Sequence, residues 1–355
     1  MTVANLAQSE KYQLLNAIWP RMPLGDFDTY GKLYDKYFLY LDEQTSLTQR
    51  KFSLYSEHTT AGLLSIIAHL RGEDRAKIAI VTDITEQALR SADIAARMWL
   101  TIHIQHPSSD SSISHQWPND QSLPSLLKGW FTPTSPDVVS SNTDQIPESF
   151  SVPNLVRYYG FKVTWTSDLF RHLEIDWKYK QITIFEHVIC LRNHLEYSDG
   201  CPLPEEIVQE AIDSIKLLFP DNKETRLFLS QEDRQFLKIP FARDRALSLN
   251  SYNLWRPNIS LLLDRWKQGP KGWSQVRLRP DRSNFLEHST FWIASVVLLL
   301  TIISIVIGAA SIVLAQRALD VSIRSLEVSV RSYDLALAIA CAEANASDIL
   351  PHFCE

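Results

Sequence analysis

His187, Cys190 and His194 stand at i, i+3 and i+7, a spacing that places three metal-capable side chains on one face of a helix. Imidazole nitrogen and thiolate sulfur are donors that zinc selects, and a fourth ligand would close a tetrahedral site. No fourth ligand lies nearby, and Cys190 is flanked by Ile189 and Leu191, so the plainer reading is a packed helix face with satisfied or exposed histidines. Asp83, at the end of AKIAIVTD, is a second candidate, because an acid at the C-terminal end of a strand often faces a ligand. Glu86 follows three residues later, so Asp83 reads better as the cap that opens a helix over residues 84–104. No glycine-rich turn follows, and the chain holds no Walker loop, GxSxG or HExxH run. The four cysteines, Cys190, Cys201, Cys341 and Cys354, form no CxxC pair. No catalytic residue, metal ligand or cofactor is assigned from the sequence.

The elements that would position any such group are mixed. With 355 residues, the chain has room for one or two domains beside a membrane span. Its net charge of −6 gives no electrostatic ground for a nucleic-acid partner. Residues 1–106 read as a helical region. The opening MTVANLAQSEKYQLLNAIW suits a short amphipathic helix rather than a secretory signal. Tyr30, Leu33, Tyr34, Tyr37, Phe38 and Leu41 recur at helical spacing, which predicts one amphipathic helix whose aromatic stripe is core. Residues 57–70 predict a second helix capped by Thr59 or Thr60. AKIAIVTD predicts a strand.

Residues 107–153 hold seven of the 17 prolines among serine-rich runs, which predicts a loop or linker with one short element at 123–131. Residues 154–270 predict an α+β region: a strand at 161–165, two strands about the WKYK turn, and a helix near 185–195. Leu173, Ile175, Ile182 and Ile184 of the two strands are expected to point inward. A helix over 205–219 follows, opened by Pro204 and stopped by Pro220, with Ile207, Ala211, Ile215 and Leu218 buried. Residues 221–244 read as polar turns, and 246–268 as a helix interrupted near Pro257. A basic juxtamembrane segment, 271–290, comes next. Trp266 and Trp273 with Lys267, Lys271, Arg277 and Arg279 suit the headgroup layer.

Residues 291–314 then read FWIASVVLLLTIISIVIGAASIVL, without a charge and with six Ile, four Leu and four Val. As a helix this stretch is about 36 Å long, enough to cross a hydrocarbon core of about 30 Å. Phe291, Trp292, Leu299, Ile305, Gly308 and Leu314 mark the transmembrane segment. The lipid bilayer is the partner it implies.

The tail, 315–355, repeats ALDVSIR, SLEVSVR and SYDLALA with a period of seven. Leu319, Ile323, Leu326, Val330, Tyr333 and Leu337 alternate by four and three, a coiled-coil seam. Asp320–Arg324 and Glu327–Arg331 are i,i+4 pairs in the favourable order. Ser304, Gly308, Ser311 and Ala315 continue the register into the span as a small-residue side. The pattern points to a homo-oligomer through span and tail. Val321, Val328 and Leu335 add a second apolar row, which also suits a strand or a membrane surface.

Four basic residues precede the span closely, Lys271, Arg277, Arg279 and Arg282, and three follow it. With the span as the first targeting signal, this bias puts the N-terminal domain in the cytosol and the tail across the membrane. Cys341 and Cys354 would then lie in an oxidising compartment and could pair. The acceptor sequons at Asn258 and Asn345 fall on opposite sides of the span and leave the orientation open.

In MWLTIHI, QWPNDQSL, IPESFSVPNLVRYYGFKVTWTSDLFRHLEID, ITIFEHV, LLFP and HSTFWIASVVLLLTIISIVIGAA, in that order, the chain resembles a family of uncharacterised single-pass membrane proteins of filamentous fungi. The resemblance covers residues 85–315 and implies a similar fold with a C-terminal span. It implies no catalytic residues, and the longer heptad tail departs from it.

The expected fold is α+β: a mainly helical N-terminal region with a small β-hairpin element, then one C-terminal transmembrane helix extended by a helical tail. The expected role is a membrane-anchored interaction or scaffold protein that displays a cytosolic domain to an unknown protein partner. The alternative is a membrane-tethered enzyme whose active site has no short motif. A pore would need several spans or a high-order ring.

Overall fold

A computed structural model describes residues 3–80, 85–105, 115–132, 145–197, 200–240, 243–269 and 285–342. It divides into two units, Met1–Gln275 and Val276–Glu355, and is α+β with a predominance of helix. In the first unit α1 (Gln8–Ile18), α2 (Leu24–Tyr30), α3 (Asp35–Arg50) and α4 (Thr60–Leu70) come first. The aromatic stripe breaks at a 3-10 turn, Gly31–Tyr34, so it spans two helices rather than one. Tyr34, Tyr37, Phe38 and Leu41 are buried as the spacing predicts. Thr59 caps α4, its hydroxyl accepting from the Gly62 N–H at 3.1 Å.

Where AKIAIVTD predicts a strand, its described part forms a helical turn, α5 (Lys77–Ile80), and residues 81–83 lie outside the described residues. Lys77 makes the difference. Its ammonium lies 2.6 Å from Asp93 Oδ1 and 5.0 Å from the Trp117 ring centre, with both charged side chains buried. Asp93 belongs to α6 (Glu86–Leu100), capped by the Thr85 hydroxyl, which accepts from the Ala88 N–H at 3.2 Å. Asp83 and residue 84 lie outside the described residues, and the helix ends at Leu100 rather than at 104. Thr101 stops it by taking a left-handed φ of 51°.

Two short parallel strands, β1 (Ile104–Gln105) and β2 (His115–Gln116), precede α7 (Leu123–Trp130), the short element expected there. The Pro/Ser-rich stretch is less of a linker than its composition suggests. Trp117, Ile146 and Phe150 from it are fully or almost fully buried. Arg245 fixes its end, donating to the carbonyls of Glu148 at 2.7 Å, Phe150 and Leu217.

In α8 (Val152–Tyr159) Pro153 occupies the first turn, where a missing N–H costs nothing. Gly160, at φ 72°, ends the helix, and the Phe161 N–H returns to the Leu155 carbonyl at 3.3 Å. That reversal feeds β3 (Lys162–Thr166) into a three-stranded sheet with β4 (Ile175–Asp176) and β5 (Gln181–Phe185), in the order β3-β5-β4. β3 runs parallel to β5, pairing Lys162 with Gln181, and β4 runs antiparallel, pairing Ile175 with Ile182. Leu173, Ile182 and Ile184 are buried and Ile175 partly so.

α9 (Val188–Glu196) and α10 (Glu205–Leu218) pack on one another, with Ile207, Ala211, Ile215 and Leu218 inward. The segment read as polar turns contains α11 (Lys223–Gln231), capped by Asn222. Pro257 begins α12 (Arg256–Lys267) instead of interrupting a helix. Trp266 is not available to headgroups: it is buried, stacked on Tyr159 at 5.2 Å. Trp273 and the basic segment beside it lie outside the described residues. The second unit contains α13 (Phe285–Cys341), 57 residues long.

Desolvation outweighs attraction at the Lys77–Asp93 pair, lowering the lysine pKa and raising that of the carboxylate. Lys77→Met should therefore destabilise the domain by about 3–5 kcal/mol, because it strands a buried charge. Adding Asp93→Asn should recover most of that loss. Urea denaturation of the full chain in detergent, followed by tryptophan fluorescence, checks both.

Candidate functional site

The face that carries His187, Cys190 and His194 is turned into the core. β5 runs to Phe185 and α9 starts at Val188, so His187 sits at the helix entrance, not inside it. Its ring lies 5.7 Å from Tyr37, 5.3 Å from Tyr40 and 5.8 Å from Phe185. Burial drops its pKa to about 3, and its Nε2 has no hydrogen-bond partner among the described residues. Cys190 is fully buried and its thiol is pushed well above the usual value. No group of three or more His, Cys, Asp or Glu side chains is placed to hold a metal ion among the described residues.

His194 has a structural task set by α6. The last four carbonyls of a helix lack partners within it, and this helix end is buried. Arg97 O still takes the Thr101 N–H at 2.9 Å, and it and the next two carbonyls receive side chains from elsewhere in the fold. Tyr40 donates to Arg97 O at 3.0 Å, Tyr37 to Met98 O at 2.6 Å and His194 Nε2 to Trp99 O at 3.1 Å. The fourth, Leu100 O, receives the Thr101 hydroxyl at 2.6 Å. With its Nε2 proton committed, His194 is neutral, and its Nδ1 faces the Trp19 indole N–H and Cys201 Sγ, each at 3.4 Å. Burial lowers its pKa to about 4.

A pairing the sequence did not suggest is His172 with Ser214, 42 residues apart and 2.7 Å in contact. Side by side, such residues can form a nucleophile and its base. Here the proton is on the wrong atom. His172 Nδ1 accepts the Phe185 backbone N–H at 3.2 Å, so Nε2 carries the hydrogen and donates to Ser214. Ser214 in turn donates to Ala211 O at 2.7 Å. Both side chains are buried, and the histidine pKa falls to about 3 through desolvation. The pair links β5 to α10 and activates nothing.

An open cleft of about 790 Å³ is lined by His103, His115, Asp168, Arg171, Glu174 and Asn258, with Phe170 and His172 in its floor. Asp168 Oδ1 accepts from the backbone N–H groups of His103 and Phe170, each at 3.1 Å. Arg171 and Glu174 pair at 2.8 Å. His115 stacks flat on Phe170 at 3.9 Å, and Phe170 stacks on Phe131 at 4.4 Å. Desolvation lowers both cleft histidines, the Arg97 guanidinium adding to the effect at His103. Among the described residues the lining supplies imidazole, carboxylate, guanidinium and amide groups, which can transfer protons, stack or hydrogen-bond. Apart from Asn258, noted only as a sequon, sequence reasoning selected none of these residues, which come from four separate stretches of chain.

The other candidate surface is α13. Phe291, Trp292, Leu299, Ile305 and Leu314 are all exposed, and a Cβ added at Gly308 would meet nothing within 4 Å. The helix is long and apolar enough to cross a membrane, and none of its most apolar window is buried. Three of its polar side chains are satisfied internally: Ser295, Thr301 and Ser311 donate to the carbonyls four residues back at 2.9, 2.8 and 2.9 Å. The helix continues through the heptads, where Leu319, Ile323, Leu326, Val330 and Tyr333 are exposed and Leu337 is half-buried. Of the two expected ion pairs, Glu327–Arg331 forms at 2.6 Å and Asp320–Arg324 does not. Cys341 is disulfide-bonded, whereas Cys190 and Cys201 carry free thiols; Cys354 lies outside the described residues.

Comparison with protein-family models, with curated proteins and with solved structures finds no match to this chain.

The buried histidines give the domain a pH dependence of known sign. His172, His187 and His194 are depressed to about 3, 3 and 4, below their unfolded value of 6.5, so the unfolded chain binds more protons in acid. Stability should be full above pH 6.5 and fall by up to about 4 kcal/mol per pH unit below about pH 6. Urea midpoints of the full chain between pH 7.5 and 5 check the slope, and His172→Gln should remove about a third of it.

Proposed function

We propose that this is a single-pass membrane protein whose α13 anchors the folded unit Met1–Gln275 and displays it on the cytosolic face as an interaction or scaffold module. The observation that carries the reading is an uncharged apolar helical stretch of 24 residues that none of the described residues covers. Water would not tolerate that surface, and a hydrocarbon core of about 30 Å matches its length. The resemblance to single-pass proteins of filamentous fungi supports the same reading.

Three observations support the orientation. Basic residues are denser before the span than after it. Cys190 and Cys201 are free in the large unit, as a reducing compartment requires. Cys341, beyond the span, is disulfide-bonded, as an oxidising compartment permits. The exposed heptad row and the open side at Gly308 support pairing with a second copy through span and tail. The second reading, a tethered enzyme, is favoured only by the cleft with two neutral histidines beside Asp168.

Alkaline carbonate washing of membranes that carry the full chain tests the anchor. The protein should stay in the pellet, and Ile305→Arg should release a large fraction by adding about 2.5–3.5 kcal/mol to insertion. Recovery of the unchanged protein in the supernatant overturns the reading. Glycosylation at Asn345 with none at Asn258 is the expected orientation result, and the reverse pattern inverts it. Turnover of a small molecule that is lost on substituting His103 or His115 would move the protein to the second reading.

A further inference from the structure

The turn between β4 and β5 reads Trp177-Lys178-Tyr179-Lys180, and all four side chains are exposed. Trp177 is 45% and Tyr179 62% exposed, although both are large aromatic residues. Neither the Trp177 indole N–H nor the Tyr179 hydroxyl has a hydrogen-bond partner among the described residues. Lys178 and Lys180 form no ion pair there, nor does Lys162, whose backbone N–H donates to the Lys180 carbonyl at 2.8 Å. The turn has a set shape. Asp176 Oδ1 accepts from the Tyr179 N–H at 3.1 Å, and Lys180 holds a left-handed φ of 50°. The Trp177 ring rests edge-on against Phe161 at 5.9 Å, and the Lys178 ammonium lies 5.3 Å from the Tyr179 ring centre.

We propose that this tip is a second membrane contact, docking on the anionic surface of the bilayer that α13 occupies. Trp and Tyr with free polar ends prefer headgroup depth, where the ring meets acyl chains and the N–H or O–H meets water and ester oxygens. Lys162, Lys178 and Lys180 supply the matching charge. Each lysine near an anionic leaflet raises partitioning about fivefold. Asp176 is the one carboxylate in the turn, and its Oδ1 is engaged by the Tyr179 backbone. A protein groove would need larger apolar anchors than a four-residue tip provides, whereas a lipid surface does not. Tethering lets so small a contact count, because the chain itself holds the domain at high local concentration near lipid. The inference rests on the anchored, cytosol-facing reading above.

The test uses the full chain reconstituted in phosphatidylcholine vesicles, with and without about a third phosphatidylserine, and measures amide hydrogen exchange across residues 175–181. Exchange should slow by about tenfold when phosphatidylserine is present, and K178E/K180E or W177A/Y179A should abolish the slowing while exchange elsewhere is unchanged. Equal exchange in both lipids, in a chain that resists carbonate, overturns the tip and leaves the anchor standing. Slowing that needs an added protein and not the anionic lipid overturns it too. A chain that washes off in carbonate overturns the anchor; the tip is then judged on the full chain mixed with preformed vesicles of the same two compositions, where absence of protection rejects it.

Discussion

The buried C-terminal end of α6 is the constraint around which the large unit is arranged. A helix end that stops inside a core leaves carbonyls that neither water nor the helix can satisfy, and each orphan costs about 1–3 kcal/mol. Here Tyr40 and Tyr37 reach in from α3 and His194 from α9, so three elements distant in sequence are held to one point. The tyrosine hydroxyls are correspondingly hard to ionise, because burial raises their pKa well above the usual value. The same arrangement explains why a helix face that looks metal-competent in one dimension is a packing device in three.

Polar side chains elsewhere in the core follow the same logic. His172 and Ser214 bridge β5 to α10, Arg245 collects the carbonyls of Glu148, Phe150 and Leu217, and Lys77 and Asp93 fasten α5 to α6. Each is a buried group with a partner from another element, and such groups fix which packing is adopted as well as how strongly. What remains chemically open is on the surface: the His103–His115 cleft, the aromatic tip of the hairpin and the length of α13.

Much of the architecture was legible from periodicity. The apolar run at 291–314, the stripe Tyr34–Leu41 and the helix over 205–219 rest on local patterns, and those elements form. In the described part of AKIAIVTD a helical turn replaces the expected strand, and Lys77 there is buried by a partner 16 residues away, which alternation cannot report. Pro257 suggests a break but opens a helix, since its missing N–H is harmless in the first turn. Trp266 was read as a headgroup anchor because its neighbours are basic, but the residues that bury it, Tyr159 and Phe150, are far back in the chain. The cleft was invisible for the same reason: His103 and His115 sit in segments with no motif, and only the β1–β2 pairing and Phe170 bring them to one wall.

The uninterrupted length of α13 sets a dimension. From Leu314 to Cys341 the helix rises about 40 Å, more than the about 30 Å thickness of a hydrocarbon core. A rod of that kind behaves as a ruler. It fixes the distance between the apolar stretch and the disulfide-bonded end, so anything that meets that end is met at a set distance and not over a range.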